Sequence, residues 1–162
     1  YLAKAQQDKK DYTSAVAAYT RCIAQDSLSR MKDAIYARGW CNYQLQNYKE
    51  ALGDYTKAME VQADSSSANF DYELGNVYLN LGKYDSAYNH YNKQHDKDPA
   101  NGLAMYGIAS ALFLKGKADD ALTWFDKSFQ TKMVSKNDIR KDKLIAAIQE
   151  DKRFKSLIKK YY

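Results

Sequence analysis

The sequence predicts an all-α protein built as an array of stacked antiparallel helix pairs. Three observations predict it. First, the phrase D-Y-T-S-A-V-A-A-Y-T-R-C at Asp11 returns as N-Y-K-E-A-L-G-D-Y-T-K-A at Asn47 and as K-Y-D-S-A-Y-N-H-Y-N-K-Q at Lys83, with a weaker copy, K-A-D-D-A-L-T-W-F-D-K-S, at Lys117. Second, the openers Tyr12, Tyr48, Tyr84 and Ala118 lie 36, 36 and 34 residues apart. Third, every copy places an Ala one helical turn after its opener (Ala15, Ala51, Ala87, Ala121) and an aromatic one turn further on (Tyr19, Tyr55, Tyr91, Phe125). A period of this length holding two helical patterns marks a solenoid whose neighbouring repeats share one core, and such arrays work by surface rather than by a catalytic pocket.

The elements follow in order. Helices are expected near 2–9, 12–25, 31–45, 48–62, 68–81, 84–96, 101–115 and 118–131. In the third repeat, Phe70, Leu74, Val77, Tyr78 and Leu81 recur at helical spacing over Ala68 to Leu81. A hydroxyl of Ser65, Ser66 or Ser67 suits the start, where first-turn amides need acceptors, and Gly82 breaks the helix. The partner helix carries Ala87, Tyr88 and Tyr91 on one face and stops at Asp98-Pro99, because proline disfavours helix in the residue before it. The two extra residues of the first two repeats belong in the turns around Ser27–Arg30 and Asp64–Ser67, since turns absorb insertions more easily than packed helices.

After Lys132 the repeat ends. A helix capped by Asn137 or Asp138 and carrying Ile139, Leu144, Ile145 and Ile148 is expected, then a shorter one over about 152–161 with Phe154, Leu157 and Ile158. A repeat array needs a terminal element over its last apolar face, and this segment has the amphipathic pattern for it.

Composition narrows the class. The chain has 162 residues, enough for one domain with a continuous core. No apolar run approaches the roughly 18 residues of a membrane helix. Residue 1 is Tyr rather than Met and no signal-peptide pattern follows, so the chain reads as trimmed and its compartment stays open: a soluble domain, cytoplasmic, or periplasmic or exported if a leader preceded Tyr1. Residues 1–135 carry 16 Lys/Arg against 16 Asp/Glu; residues 136–162 carry 9 against 4, which is the whole excess of +5. The repeats are neutral and the tail is basic.

The pattern resembles the tetratricopeptide repeat family. The third repeat carries the resemblance best, with Leu74, Gly75, Tyr78, Gly82, Tyr84, Ala87, Tyr91 and Pro99. The second has Gly39, Tyr48, Ala51, Tyr55 and Ala58, with Arg38 where the family has Leu. The first has Leu2, Ala3, Tyr12, Ala15, Tyr19 and Cys22, and its first helix is short. The fourth keeps Gly116, Ala121 and Phe125, with Ala109 in the Gly slot and Ala118 in place of Tyr. The resemblance implies a right-handed superhelix of four repeats, about 1–28 (truncated at its start), 32–65, 68–101 and 102–135, followed by basic capping helices over 136–162.

It also implies a partner groove on the concave face, lined by the first helix of each repeat. The positions so implied are Lys4; Tyr36, Trp40 and Tyr43; Tyr72, Asn76 and Leu79; and Tyr106, Ser110 and Phe113. Residues three or four apart share a helical face, so each set reads as one stripe. Aromatic stripes at this spacing are more often core, but the core slots here are already taken by other residues. Tyr and Trp supply large contact area at low entropy cost, which suits an extended peptide or a partner helix. Asn76 suits a peptide backbone, or is an ordinary solvated amide. Only Lys4 and Asn76 match the polar clamp by which some members grip a C-terminal carboxylate, which argues against such a receptor.

Other candidates carry bland readings. His90 and His95 are five apart, a poor spacing for a shared metal, and are expected at the surface or in packing. Asp119 and Asp120 open a helix, where acids favour the dipole. Cys22 and Cys41 fit no metal spacing; two buried free thiols are expected, a disulfide only in an oxidising compartment. Lys152, Arg153, Lys155, Lys159 and Lys160 read as a solvated cap face, with an anionic partner as the alternative. No nucleophile–base pair or phosphate loop is present, so neither an enzyme nor a cofactor is expected, and no nucleic acid. The function expected is a non-catalytic protein-interaction scaffold. The alternatives are self-association through the exposed N-terminal end and electrostatic binding through the basic cap.

Overall fold

The computed structural model describes residues 2–25, 28–61 and 70–162. Its helices are α1 (Leu2–Asp8), α2 (Tyr12–Gln25), α3 (Leu28–Gln44), α4 (Tyr48–Val61), α5 (Asp71–Asn80), α6 (Tyr84–Lys97), α7 (Gly102–Leu114), α8 (Ala118–Gln130), α9 (Lys136–Lys141) and α10 (Lys152–Tyr161), with a 3-10 turn at Ile148–Glu150. Among the described residues there is no strand. The all-α helical-repeat architecture is as expected. The Ser65–Ser67 cap and the Asp64–Ser67 turn lie outside the described residues. Leu28–Arg30, expected in a turn, is the first turn of α3.

The chain forms two compact units, Tyr1–Glu73 and Leu74–Tyr162. In the first, α1 packs on α2, α2 on α3 and α3 on α4; in the second, α6 packs on α7, α7 on α8 and α10 on α8.

Every turn inside a repeat is built alike. Lys10, Gln46, Gly82 and Gly116 hold φ of 61°, 62°, 72° and 80°. Each donates its N–H three residues back, to Gln7, Tyr43, Leu79 and Phe113, while the next residue donates five back, to Gln6, Asn42, Tyr78 and Leu112. This Schellman arrangement satisfies the last carbonyls of the first helix and turns the chain into the second. Glycine adopts the left-handed conformation freely; lysine and glutamine do so at a cost of about 1 kcal/mol.

Close approach of the paired helices sets the small residues. Tyr91 on α6 lies between Gly75 and Gly107: a Cβ on either would sit 2.6 Å and 2.5 Å from its ring. The corresponding ring in the second repeat, Tyr55, meets Gly39, where a Cβ would sit 3.1 Å away. These rings are buried, as are Phe125 and Ala15, Ala51, Ala87 and Ala121.

The tail differs from expectation in detail. The cap of α9 is the Ser135 hydroxyl, accepting from the Asp138 amide, not Asn137 or Asp138. The helix expected to run through Ile148 stops at Lys141, because Asp142 turns extended (φ −73°, ψ 103°) and its carboxylate accepts from the Leu144 amide. α10 falls where the pattern placed it. Phe154 from α10 is buried against Phe125 and Phe129, with centroids 5.1 and 5.8 Å apart, and Tyr161 and Tyr162 close on the edge of Phe129.

Candidate functional site

A cleft of about 530 Å³ opens in the first unit between α1, α2 and α3. Ala3, Ala34 and Ala37 form the small-residue part of its lining, where Ala34 and Ala37 pack against the core cluster that holds Ala3. Tyr36 and Trp40, one turn apart on α3, form a wall, and Lys4, Gln7, Tyr19, Cys22 and Asp33 complete the lining. Three of the positions read from the sequence, Lys4, Tyr36 and Trp40, thus converge on one opening.

Each wall residue is braced. Trp40 is half-buried and meets Tyr12 edge-on at 5.4 Å. Tyr36 packs on Tyr55 at 5.6 Å and on Phe70 at 5.4 Å, and its hydroxyl donates to Glu73 Oε1 at 3.1 Å. Burial first, then the neighbouring Glu73 charge, pushes the Tyr36 phenol up to about 12, so it stays a neutral donor. Tyr19 donates to Gln7 Oε1 at 2.7 Å, which ties α2 to α1 along the cleft. On the rim, Lys4 pairs with Asp8 at 3.2 Å; both side chains are exposed.

Behind the wall lies a polar network that the sequence hid. Arg38 grips Asp54 through Nε and Nη2, at 3.0 and 2.5 Å, and Asn42 Nδ2 donates to the same carboxylate at 3.0 Å. Asn42 and Asp54 are buried. A bidentate guanidinium explains why Arg38 stands in a slot where Leu was expected. A signal was present: Asp54 is the one acid at that slot, whose counterparts are Ala18, His90 and Trp124.

The other positions fall differently. Tyr43 is half-buried against Tyr48 at 5.5 Å, and Tyr72 is half-buried. In the second unit, Asn76 Oδ1 accepts from Tyr91 at 2.7 Å. Ser110, at the equivalent slot, is buried and donates to its own helix at Tyr106 O, because its repeat has Phe125, which carries no hydroxyl. Leu79 is buried too. Burial leaves Leu79 and Ser110 no surface to offer a partner, so the expectation that they line a groove is corrected. Tyr106 packs edge-on to Phe125 at 5.3 Å and donates to Asp142 Oδ2 at 2.9 Å, and Phe113 is half-buried.

The thiols also differ from expectation. Cys41 is buried and burial pushes it up to about 11, but Cys22, expected to be buried, is exposed at the cleft; both are free. His90 stacks on Tyr78 at 5.3 Å and His95 meets Trp124 edge-on at 5.1 Å. No group of His, Cys, Asp and Glu suited to a metal occurs among the described residues. Among them, no helix is long and apolar enough to cross a membrane. Much of the basic tail is paired: Arg153 with Asp119 and Asp151, Lys155 with Glu150, and Lys160 with Asp126.

Comparison with known proteins agrees with the helix pairing. The family model described as tetratricopeptide repeat matches residues 2–68 and 72–130. The Photosystem I assembly protein Ycf3 of Acaryochloris marina is 25% identical over 109 residues, covering 67% of this chain and 66% of that protein. The TPR repeat-containing protein MJ1428 of Methanocaldococcus jannaschii is 28% identical over 127 residues, covering 75% of this chain and 21% of that protein. The match thus spans less than two thirds of either curated relative. A crystal structure of MamA superposes with a TM-score of 0.69 at 25% identity, covering 81% of this chain and 69% of that one. YrrB, described as a TPR protein with an unusual peptide-binding site, superposes with a TM-score of 0.68 at 19% identity, covering 98% and 80%, a likeness of fold. With the repeat matched over both stretches and carried on helices paired as it requires, the chain belongs to the tetratricopeptide repeat family.

Proposed function

We propose that this chain is a non-catalytic protein-interaction scaffold, and that the cleft of its first unit seats a peptide or a partner helix. The observation that carries this reading is the convergence of Lys4, Tyr36 and Trp40 on an open, alanine-lined cleft. Half-buried aromatics braced by their neighbours lose little entropy on contact, and they are the side chains that anchor interfaces. Lys4 and Asp33 give the rim one charge of each sign, so a largely apolar segment is the suited ligand. YrrB offers a peptide-binding precedent on the same fold. Tyr43 and Tyr72, half-buried aromatics of the first unit, remain in the proposed contact set; Asn76, Tyr106 and Phe113 belong to the second unit and are proposed to stay outside it. The repeats are proposed to run over about 1–28, 32–65, 68–101 and 102–135, with residues 136–162 as cap.

Selection of a displayed peptide library on the intact chain tests the reading. Peptides that bind the wild type are expected to lose ten-fold or more in affinity for Ala34→Arg, which fills the alanine lining, with helicity unchanged. Equal binding to that variant would place the partner surface elsewhere.

A further inference from the structure

The slot after each groove-register tyrosine holds Ala37, Glu73 and Gly107 in successive repeats. Two copies put a minimal side chain there and one puts a carboxylate. The Gly107 copy shows why the slot is small: a Cβ there would sit 2.5 Å from a ring of the adjacent helix. Glu73 is nevertheless half-buried against the first unit, with its Oε2 shielded from solvent. Its Oε1 accepts from Tyr36, and its Oε2 is buried without a hydrogen-bond partner among the described residues. Among the described residues, the ionisable groups facing it are Tyr36 from α3, Tyr55 from α4 and Asp71 from its own helix, and none of these is a cation. An unpaired buried carboxylate is far costlier than an unpaired neutral acid.

We propose that Glu73 is a proton-operated clamp on the first unit's cleft. Neutral, it stays inside and pins the Tyr36 hydroxyl that holds the cleft wall. Ionised, it is drawn toward water and the wall loosens. Trp40, one turn along α3, shares that wall. The consequence for a bound partner rests on the cleft reading above, while the clamp itself can be measured without a partner.

Burial raises the Glu73 carboxyl above the ordinary 4.5 and outweighs the hydrogen bonds from its own amide and from Tyr36, which favour the ionised form. The stabilisation from its neutral form is therefore complete below the ordinary value and is lost as pH rises through the raised one. Two readouts test the clamp in the full chain. The first is the thermal midpoint followed from about pH 4 to about pH 8, compared between wild type and Glu73→Gln so that other titrating groups cancel. The wild type is expected to lose about 3 °C more than the variant on going to the higher pH. The second is acrylamide quenching of Trp40 in a Trp124→Phe background. Quenching is expected to rise about 1.5-fold with pH when Glu73 is present and to stay level with Gln, as expected for a tyrosine anchor that opens only on ionisation. Glu73→Ala, which restores the residue of the preceding repeat, gives the same level profile should the Gln variant fold poorly. Parallel pH profiles in wild type and variants would overturn the clamp. A midpoint difference without a quenching difference would overturn its link to the cleft. Peptide binding that fails while both readouts succeed would count against the cleft reading alone.

Discussion

The two units use one repeat plan with different residues. In the first, the left-handed turn positions are Lys10 and Gln46; in the second they are Gly82 and Gly116. In the first, the slot between paired helices holds the Arg38–Asp54–Asn42 network; in the second the corresponding positions of the third repeat hold the Tyr78–His90 stack. The first holds a half-buried carboxylate with one shielded oxygen, while the second is filled by Phe125, Phe129 and Phe154 and by α7, which is buried on most of its faces. Strain and buried polar groups lower stability unless fully compensated, and they concentrate where function constrains the sequence. Within the repeat turns and the paired-helix slot the first unit carries them, together with the braced open cleft, while the second has Lys132 at φ 58° after its last repeat and a buried His95 Nδ1. The second reads as its apolar counterpart, optimised for packing.

The largest expected effect breaks the second unit. Phe154→Ala removes a ring buried against two others and should cost about 3–5 kcal/mol, read as lost hydrogen-exchange protection in α8 and α10. Next comes the buried network of the first unit. Asp54→Ala strands the Arg38 guanidinium, whose side chain is 21% exposed, and should cost about 2–4 kcal/mol. Arg38→Leu with Asp54→Ala should be far milder than the sum of the single changes, measured by a double-mutant cycle. Smaller again are the turn residues. Gly82→Ala should cost about 1 kcal/mol, whereas Gln46→Gly should gain about 0.5–1 kcal/mol, opposite signs at equivalent turns. A destabilising Gln46→Gly would show that its side chain compensates the strain. The smallest is Arg153→Ala: the arginine and its partner Asp119 are exposed, Asp151 is partly exposed, and no resolvable shift in thermal midpoint is expected.

The repeat made the fold legible. Tyr–Ala–Tyr phrases at a fixed period located α1 to α8 closely, because backbone close approach dictates small residues and ring packing dictates large ones at fixed places. The site was legible only in part. Helical phase put Tyr36 and Trp40 on one face, but phase does not say how deep a face lies, so Leu79 and Ser110 were misread as surface. The Arg38–Asp54 pair joins residues on different helices, a relation that spacing along one helix does not carry. Glu73 was visible as the odd member of its slot, while its attachment to Tyr36 needed coordinates. The break at Asp142 was hidden because Ile139, Leu144, Ile145 and Ile148 keep an amphipathic look across the turn.

The first unit, not the second, is proposed to receive the partner. Calorimetric titration of one selected peptide into Trp40→Ala and Phe113→Ala measures this directly, since both are half-buried aromatics on first helices, one in each unit. A loss of ten-fold or more is expected for Trp40→Ala, about 1.4 kcal/mol or above, with near wild-type affinity for Phe113→Ala. Loss confined to Phe113→Ala, or affinity unchanged in Trp40→Ala, would contradict that proposal.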